Sequence, residues 1–395
     1  MAGRVFTRRN VLRLLCLSAA AGSAWALDRG PAPPPVRIGV SLALSGVFMH
    51  DGIMQHKAYR LWAQHVNQRG GLLGRPVEMI IRDDRSDPEV ARRIYQEFIE
   101  RDRLDLVFGP FSSGITLAVA PIAERNAYPM LAAGAASDEI WRHGYRHVFG
   151  TIPAAGRQTV GLLAVLAEAG IDSLALVHTS DAYALDLAAG ARKWAAEFGI
   201  RITSTQQVKG GTTDLTAAAR LAQRSGARAL LMAGHFDESV NMRRALKMID
   251  WTPAAFFASV GPTLDQYGQL LHGDAEGVFA TSTWEAREEL KYPGSADFLR
   301  EFVRTYAETP SFIGAQAYAA GQILERAVAK AGGIERRDLR EAMSQLDTEV
   351  IIGRYAVDQS GLLIKRFPLL IQWQEGRREI VWPAEMRTAP ARFVR

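Results

Sequence analysis

Residues 104–136 read LDLVFGPFSSGITLAVAPIAERNAYPMLAAGAA, and they carry the clearest local pattern in the chain. A short apolar run is followed by a turn rich in glycine and serine, a helical segment ending near residue 123, and a second apolar run that ends in small residues. We interpret the stretch as a buried strand, a turn that opens a helix, and the next strand. This unit is typical of a parallel α/β sheet.

The same stretch suggests a binding site at the start of the helix. Ser112 and Ser113 lie where backbone N–H groups lack helical partners and the helix dipole is positive, which suits a ligand carboxylate. Gly134, Ala135 and Ala136 follow the next strand, where small side chains let a ligand approach the backbone. The alternative is that Ser112 is only a helix N-cap.

Apolar runs alternate with amphipathic helical patterns through most of the chain. The predicted strands are 36–42, 77–82, 106–108, 128–131, 174–178, 200–206, 229–232, 255–258, 277–282, 352–357 and 369–374. The predicted helices are 55–68, 88–101, 156–169, 185–198, 215–224, 239–248, 295–306, 313–331 and 337–346. Three helices in succession after residue 282 interrupt the alternation, so we expect a chain that crosses between two domains and returns.

The first 26 residues predict export. Arg8 and Arg9 form a twin-arginine pattern, an apolar stretch too short to span a bilayer follows, and Ala24-Trp25-Ala26 is a small-x-small cleavage site. We expect a twin-arginine signal, with ordinary secretion as the alternative because Val11 departs from the usual pattern. The only cysteine, Cys16, lies in this segment, so the mature chain is expected to contain no disulfide.

Composition argues against nucleic-acid binding. Four of the 47 basic residues lie in the signal, which contains no acidic residue, and 42 acidic residues lie elsewhere. The mature chain is therefore almost neutral, without a basic stripe interleaved with aromatic residues. The motifs for phosphate cradles, dinucleotide binding and a nucleophilic serine are missing, which argues against an enzyme. We also expect no cofactor and no metal, because the mature chain has no cysteine and His143 and His147 have Gly144 between them and no carboxylate pair nearby.

Five segments resemble the type I periplasmic solute-binding proteins of the leucine/isoleucine/valine-binding group, which serve ABC importers. They are residues 38–46 (IGVSLALSG), 67–78 (NQRGGLLGRPVE), 83–88 (DDRSDP), 109–114 (GPFSSG) and 310–318 (PSFIGAQAY). The resemblance implies an α/β fold of two Rossmann-like lobes joined by three crossovers, with a ligand enclosed between them. It divides the chain into a signal (1–26), a Pro-rich spacer (27–35), lobe 1 (36–152 and 283–355), lobe 2 (153–282 and 356–386) and a tail (387–395).

The resemblance also implies a set of ligand-binding residues. Ser112 and Ser113 match the serines that hold the ligand carboxylate, and residues 134–136 match a segment that often ends in a hydroxyl residue. Tyr183 resembles the tyrosine that covers the ligand, and His235 with Phe236 falls where the family often has an aromatic residue.

Residue 260 departs from the family pattern. Amino-acid binders have an acidic residue near this position to pair with the ligand ammonium, whereas this chain has Val260. A buried ammonium without a partner is costly. Unless Asp51, Asp181 or Asp237 replaces the missing acid, we expect a small carboxylate ligand, aromatic or apolar, without an ammonium group.

The expected protein is thus a periplasmic monomer that delivers a carboxylate or amino-acid-like ligand to an ABC permease. A ligand-sensing subunit of a signalling system is the alternative, since the same lobe closure would serve both. An enzyme is the least favoured class.

Overall fold

A computed structural model describes residues 33–394. The predicted export signal, with Arg8, Arg9 and Cys16, lies outside the described residues, as does most of the predicted spacer. Residues 35–394 fall within one compact unit.

The first lobe begins with a five-stranded parallel sheet in the order β2-β1-β3-β4-β5. Its elements are β1 (Val36–Leu42), α1 (Met49–Gln68), β2 (Val77–Asp83), α2 (Pro88–Gln96), β3 (Leu106–Phe108), α3 (Ser113–Arg125), β4 (Met130–Ala132), α4 (Glu139–Arg142) and β5 (Val148–Gly150). Strands β1, β3, β4 and β5 are buried at nearly every position, whereas the edge strand β2 is mostly half-buried. Helices alternate with the strands and cover both faces of the sheet, as is usual for parallel sheets.

The second lobe contains a seven-stranded sheet in the order β14-β13-β10-β9-β8-β6-β7. Its first elements are α5 (Val160–Glu168), β6 (Ser173–His178), α6 (Ala182–Glu197), β7 (Arg201–Gln207), α7 (Thr216–Arg224), β8 (Ala229–Ala233), α8 (Phe236–Met248), β9 (Ala255–Ala258), α9 (Asp265–Leu271) and β10 (Val278–Ser282). These five strands are parallel to one another.

After β10 the chain returns to the first lobe. It forms α10 (Ser295–Tyr306), α11 (Phe312–Ala331), α12 (Arg336–Ser344) and a small hairpin of β11 (Thr348–Val350) and β12 (Gly353–Tyr355). Helix α11 packs on α1, where a Cβ added to Gly321 would lie only 2.2 Å from the Trp62 ring. The Trp62 indole also donates to Glu325 at 2.8 Å.

The last part of the chain completes the second sheet. Strand β13 (Leu369–Gln374) pairs antiparallel with β10, and β14 (Arg377–Trp382) pairs antiparallel with β13. The residues that follow stay on this lobe, since Phe393 stacks on Phe279 with ring centres 5.6 Å apart. The fold is therefore α/β with two lobes joined by three chain crossings, as expected.

Most predicted elements occur within a few residues of their expected bounds, with clear exceptions. The strand predicted at 352–357 is present only as the shorter β12, and it pairs with the unpredicted β11 in a separate hairpin instead of joining a large sheet. Strands β5 and β14 were not predicted. Strand β5 has only three residues, and β14 begins with two arginines instead of an apolar run.

Two negative observations concern the described part of the chain. Between residues 33 and 394, no helix combines the length and hydrophobicity of a transmembrane span. Over the same range, His, Cys, Asp and Glu side chains form no group of three suited to a metal ion.

Candidate functional site

A cavity lies between the carboxyl ends of the strands of both lobes and has an empty volume of about 380 Å³. The first lobe supplies residues that follow β3, β4 and β5 and residues at the start of α11, whereas the second lobe supplies residues near α6, β8 and β9. The wall consists of Phe111, Ser112, Ser113, Gly134, Ala136, Ile152, Gln158, Tyr183, His235, Val260, Phe312 and Ile313. Most of these side chains are apolar or aromatic, with a few polar groups, which is the usual composition of a small-molecule site.

The start of α3 forms one polar side of the cavity. The Ser113 hydroxyl oxygen accepts the N–H groups of Ala136 at 3.0 Å and Ser137 at 3.1 Å, so its own proton is free to be donated. Ser112 precedes the helix, is 6 % exposed, and its side chain makes no capping hydrogen bond. Ser112 therefore occupies the N-cap position of α3, but its hydroxyl does not cap the helix.

The segment after β4 lies against this helix start. Gly134 is on the cavity wall, and a Cβ added there would lie 2.8 Å from the amide nitrogen of Gln55 and 2.9 Å from the Phe111 ring. Ala136 is also on the wall. Ala135 is not, because its side chain packs in the core of the first sheet.

Tyr183 contributes a neutral phenol from the second lobe. Asp181 caps α6 by accepting the Ala184 N–H at 3.1 Å, which fixes the first turn. The Tyr183 hydroxyl donates to the side-chain oxygen of Gln158 at 2.9 Å, and the Gln158 amide donates to the Pro153 carbonyl. Burial raises the Tyr183 pKa well above its ordinary value, so the phenol stays protonated.

His235 lies in the cavity wall beside a carboxylate. Its Nε2 lies 3.3 Å from Oδ1 of Asp181. Burial lowers the His235 pKa, but the charges of Asp181, Glu238 and Asp51 raise it more, and the result is about 8. Burial alone would raise the Asp181 pKa, yet His235 and hydrogen bonds hold that pKa well below its usual range. The His235 ring also lies 4.7 Å from Phe48, centre to centre.

Asp51 lies near His235 but outside the cavity wall. It sits in the first turn of α1, is 1 % exposed, and its Oδ1 has no hydrogen-bond partner among residues 33–394. Burial raises the Asp51 pKa to about 7, and the His235 charge lowers it only in part. Because Asp51 does not line the cavity, it is not a direct partner for a ligand ammonium there.

Phe236 is also outside the cavity wall. Its ring is 2 % exposed and packs against His50 of the first lobe, with ring centres 4.4 Å apart. Of the two residues predicted together, His235 therefore lines the cavity and Phe236 does not, because their side chains point in different directions.

Val260 lies on the wall, where the sequence indicated a missing acidic residue. Within the described chain, no Asp or Glu lines this cavity. The site can therefore hold an apolar body and a carboxylate but offers no direct counterion for an ammonium.

Five wall residues were not predicted, namely Phe111, Ile152, Gln158, Phe312 and Ile313. Phe111, Phe312 and Ile313 lie inside segments already recognised in the sequence, so the segments were informative while the side-chain directions were not. For Ile152 and Gln158 no sequence signal was found.

The comparisons with known proteins all indicate the same protein family. A sequence profile of the periplasmic binding protein family matches residues 35–367. A curated relative, Leu/Ile/Val-binding protein homolog 7 of Brucella abortus (strain 2308), is 24 % identical over 94 % of this chain and 96 % of its own length.

Two solved structures share the fold. The branched-chain amino acid transporter substrate binding protein LivJ of Streptococcus pneumoniae, in complex with isoleucine, is 20 % identical and has a TM-score of 0.80 over 87 % of this chain and 98 % of its own. A solute binding protein of an ABC transporter from R. palustris, in complex with benzoate, is 18 % identical and has a TM-score of 0.79 over 90 % of this chain and 97 % of its own.

Proposed function

This chain belongs to the type I periplasmic binding protein family, and we propose that it captures a small carboxylate without an ammonium group between its two lobes. The chain is thus a binding protein and not an enzyme. In this proposal the ligand carboxylate accepts hydrogen bonds from Ser112, Ser113 and the first backbone N–H groups of α3.

The absence of an acidic residue from the cavity wall is the observation that carries the proposal. Val260 supplies a methyl-rich surface in place of a carboxylate, and Phe111, Ile152 and Phe312 add to it. Transferring an unpaired ammonium into such a site costs several kcal/mol, at the order of magnitude found for buried charges. An apolar acid avoids that cost.

The related proteins support a carboxylate without deciding its identity. Isoleucine and benzoate, the ligands of the two structures compared above, have a carboxylate in common and differ in the ammonium. The cavity wall of this chain, apolar and without an acidic residue among residues 33–394, suits benzoate better than isoleucine.

We further propose that the liganded protein docks on the permease of an ABC importer as a monomer in the periplasm, after export by the twin-arginine route. The family membership implies the periplasm. Replacing Arg8 and Arg9 by Lys tests the route, because the precursor should then remain in the cytoplasm. Normal periplasmic accumulation of that double variant would refute the twin-arginine route and leave secretion itself intact.

A thermal-shift panel tests the ligand class. We expect benzoate or 4-methyl-2-oxopentanoate to raise the melting temperature, because a ligand at about 100 times its Kd adds about 2.7 kcal/mol to the free energy of unfolding. Leucine and isoleucine at the same concentration are expected to have much smaller effects. A rise with the amino acids and none with the acids would refute the proposed ligand class.

A further inference from the structure

His235 is placed to act on the charge of a ligand. Of the described residues on the cavity wall, it alone can carry a positive charge. It is 8 % exposed, so water screens that charge weakly. Neither ring nitrogen has a hydrogen-bond partner among residues 33–394, so the 3.3 Å contact between Nε2 and Asp181 is an ion pair without a hydrogen bond.

The groups around His235 favour the cation. Asp181, in the loop before α6, lies 3.3 Å from Nε2, and within residues 33–394 it pairs with no other basic side chain. Glu238 of α8 accepts the His235 backbone N–H at 3.1 Å and adds a second negative charge. The remaining titratable neighbours are Tyr183 of α6, a neutral phenol, and Asp51 of α1.

We propose that His235, held as a cation by Asp181, excludes ligands that carry an ammonium group from this cavity. The inference deepens the proposed function and rests on it. Val260 explains only why an ammonium would find no partner. His235 adds repulsion because its ring lines the cavity, whereas the carboxylates of Asp181, Glu238 and Asp51 do not and so lie farther from a ligand. In a site of low dielectric constant, two like charges repel far more than they do in water.

Asp181 is a positioning residue in this scheme. It does not line the cavity, and it acts by stabilising the charge of the imidazolium through their ion pair. Replacing Asp181 by Asn removes the charge that stabilises the imidazolium while keeping a side chain of the same shape. In this variant the preference for acids over amino acids should be lost at a lower pH than in the wild type. A purely structural role of Asp181 would not produce such a shift.

Calorimetric titrations of the full mature protein test the proposal with two matched ligand pairs. The pairs are leucine with 4-methyl-2-oxopentanoate and phenylalanine with 3-phenylpropanoate, and the quantity compared is the ratio of Kd for amino acid and acid. At about pH 6.5, where His235 is charged, we expect the wild type to bind the acid at least tenfold more tightly in one pair or both. His235→Gln should reduce that ratio at least tenfold.

The control variant is His147→Gln. His147 also pairs with a carboxylate, since its Nδ1 lies 3.0 Å from Glu124, but it is not part of the cavity wall. The ratio should be unchanged in this variant. Because both ligands of a pair are measured on one protein, a loss of folded fraction cancels from the ratio.

The pH dependence gives a second test. Between about pH 6.5 and about pH 8.8 the wild-type ratio should fall as His235 loses its proton. In Asp181→Asn the fall should occur at least one pH unit lower. Asp51→Asn removes a carboxyl that also titrates in this range. The Kd ratio should still fall with rising pH in this variant.

The outcomes separate the two proposals. Suppose that the wild type prefers the acids, but that the Kd ratio and its pH dependence are unchanged in His235→Gln and in Asp181→Asn. The role of His235 is then refuted, whereas the proposed function stands. If the wild type binds the amino acids more tightly, or binds none of the four probes, both are refuted. Should His235→Gln fail to fold, the Asp181→Asn pH series decides alone.

Discussion

The rings of Phe48 and His235 lie 4.7 Å apart between their centres, and they belong to different lobes. Phe48 precedes α1 of the first lobe, and His235 follows β8 of the second. A second pair across the lobes, His50 with Phe236, lies beside them. Contacts between the lobes therefore border the cavity, as in a closed clamp.

Closure on ligand binding is the first prediction. A ligand in the cavity contacts both lobes at once, so it stabilises the closed arrangement by its differential binding energy. Solution scattering should show a smaller radius of gyration with the best acid than without it. Glucose, which lacks a carboxylate, serves as the control, and equal radii in all samples would contradict the clamp.

The second prediction concerns the carboxylate contact. Ser112→Ala should weaken binding of the best acid between about tenfold and a hundredfold, since a hydrogen bond to a charged group contributes roughly 1.5–3 kcal/mol. Calorimetry measures the change. This variant is cleaner than Ser113→Ala, because the Ser113 hydroxyl also holds two backbone N–H groups.

Ser344→Ala is the matched control, since that hydroxyl lies on the exposed end of α12 and donates to the Glu341 carbonyl. Its affinity for the acid should equal that of the wild type. Unchanged affinity in Ser112→Ala as well would mean that the carboxylate binds elsewhere.

The third prediction concerns Val260. Val260→Glu places a carboxylate on the cavity wall, so it should repel an acid and supply the partner that an ammonium lacks. Compared with Val260→Gln, which has the same shape without the charge, it should bind the acid at least about tenfold more weakly, which corresponds to 1.4 kcal/mol or more. Leucine should gain affinity over the Gln variant, and a loss for both ligands would contradict the assignment of position 260.

The fourth prediction concerns Asp51 and pH. Burial raises its folded-state pKa from 3.8 to about 7, so the folded protein holds a proton that the unfolded chain releases between these values. The free energy of unfolding therefore decreases as pH rises through this window. Asp51→Asn has no carboxyl to ionise at this position. The difference in free energy of unfolding between this variant and the wild type should therefore be larger, in favour of the variant, at about pH 8 than at about pH 5, by roughly 2–3 kcal/mol.

Urea denaturation at both pH values measures the difference. Asp250→Asn, at an exposed position, is the control and should show little change in relative stability between them. A relative stability of Asp51→Asn that is equal at both pH values would show that the Asp51 carboxyl is not buried.

Much of the fold was predictable because its signals are local. Buried parallel strands such as β1 and β8 are continuous apolar runs, and the amphipathic helices between them have the spacing of a covered sheet. The hairpin at β11 and β12 was not predictable in this way, since a turn within an apolar stretch leaves little pattern. Strand β14 was hidden by the charges of Arg377 and Arg378.

The candidate site was less predictable because it depends on direction and distance. The serines at 112 and 113 follow a local rule for helix starts. In contrast, the ion pair of Asp181 with His235 joins residues 54 positions apart, and only the folded chain brings them together. The direction of Phe236, away from the cavity and against His50, and the core position of Ala135 likewise depend on packing and not on spacing.

The most direct test of the account is a side-by-side calorimetric titration of the wild-type protein with 4-methyl-2-oxopentanoate and leucine at about pH 7. The two ligands share a carbon skeleton and a carboxylate and differ in an oxo group in place of the ammonium. We expect the oxo acid to bind at least about tenfold more tightly than leucine, a difference of 1.4 kcal/mol or more in binding free energy. Tighter binding of leucine would contradict the account.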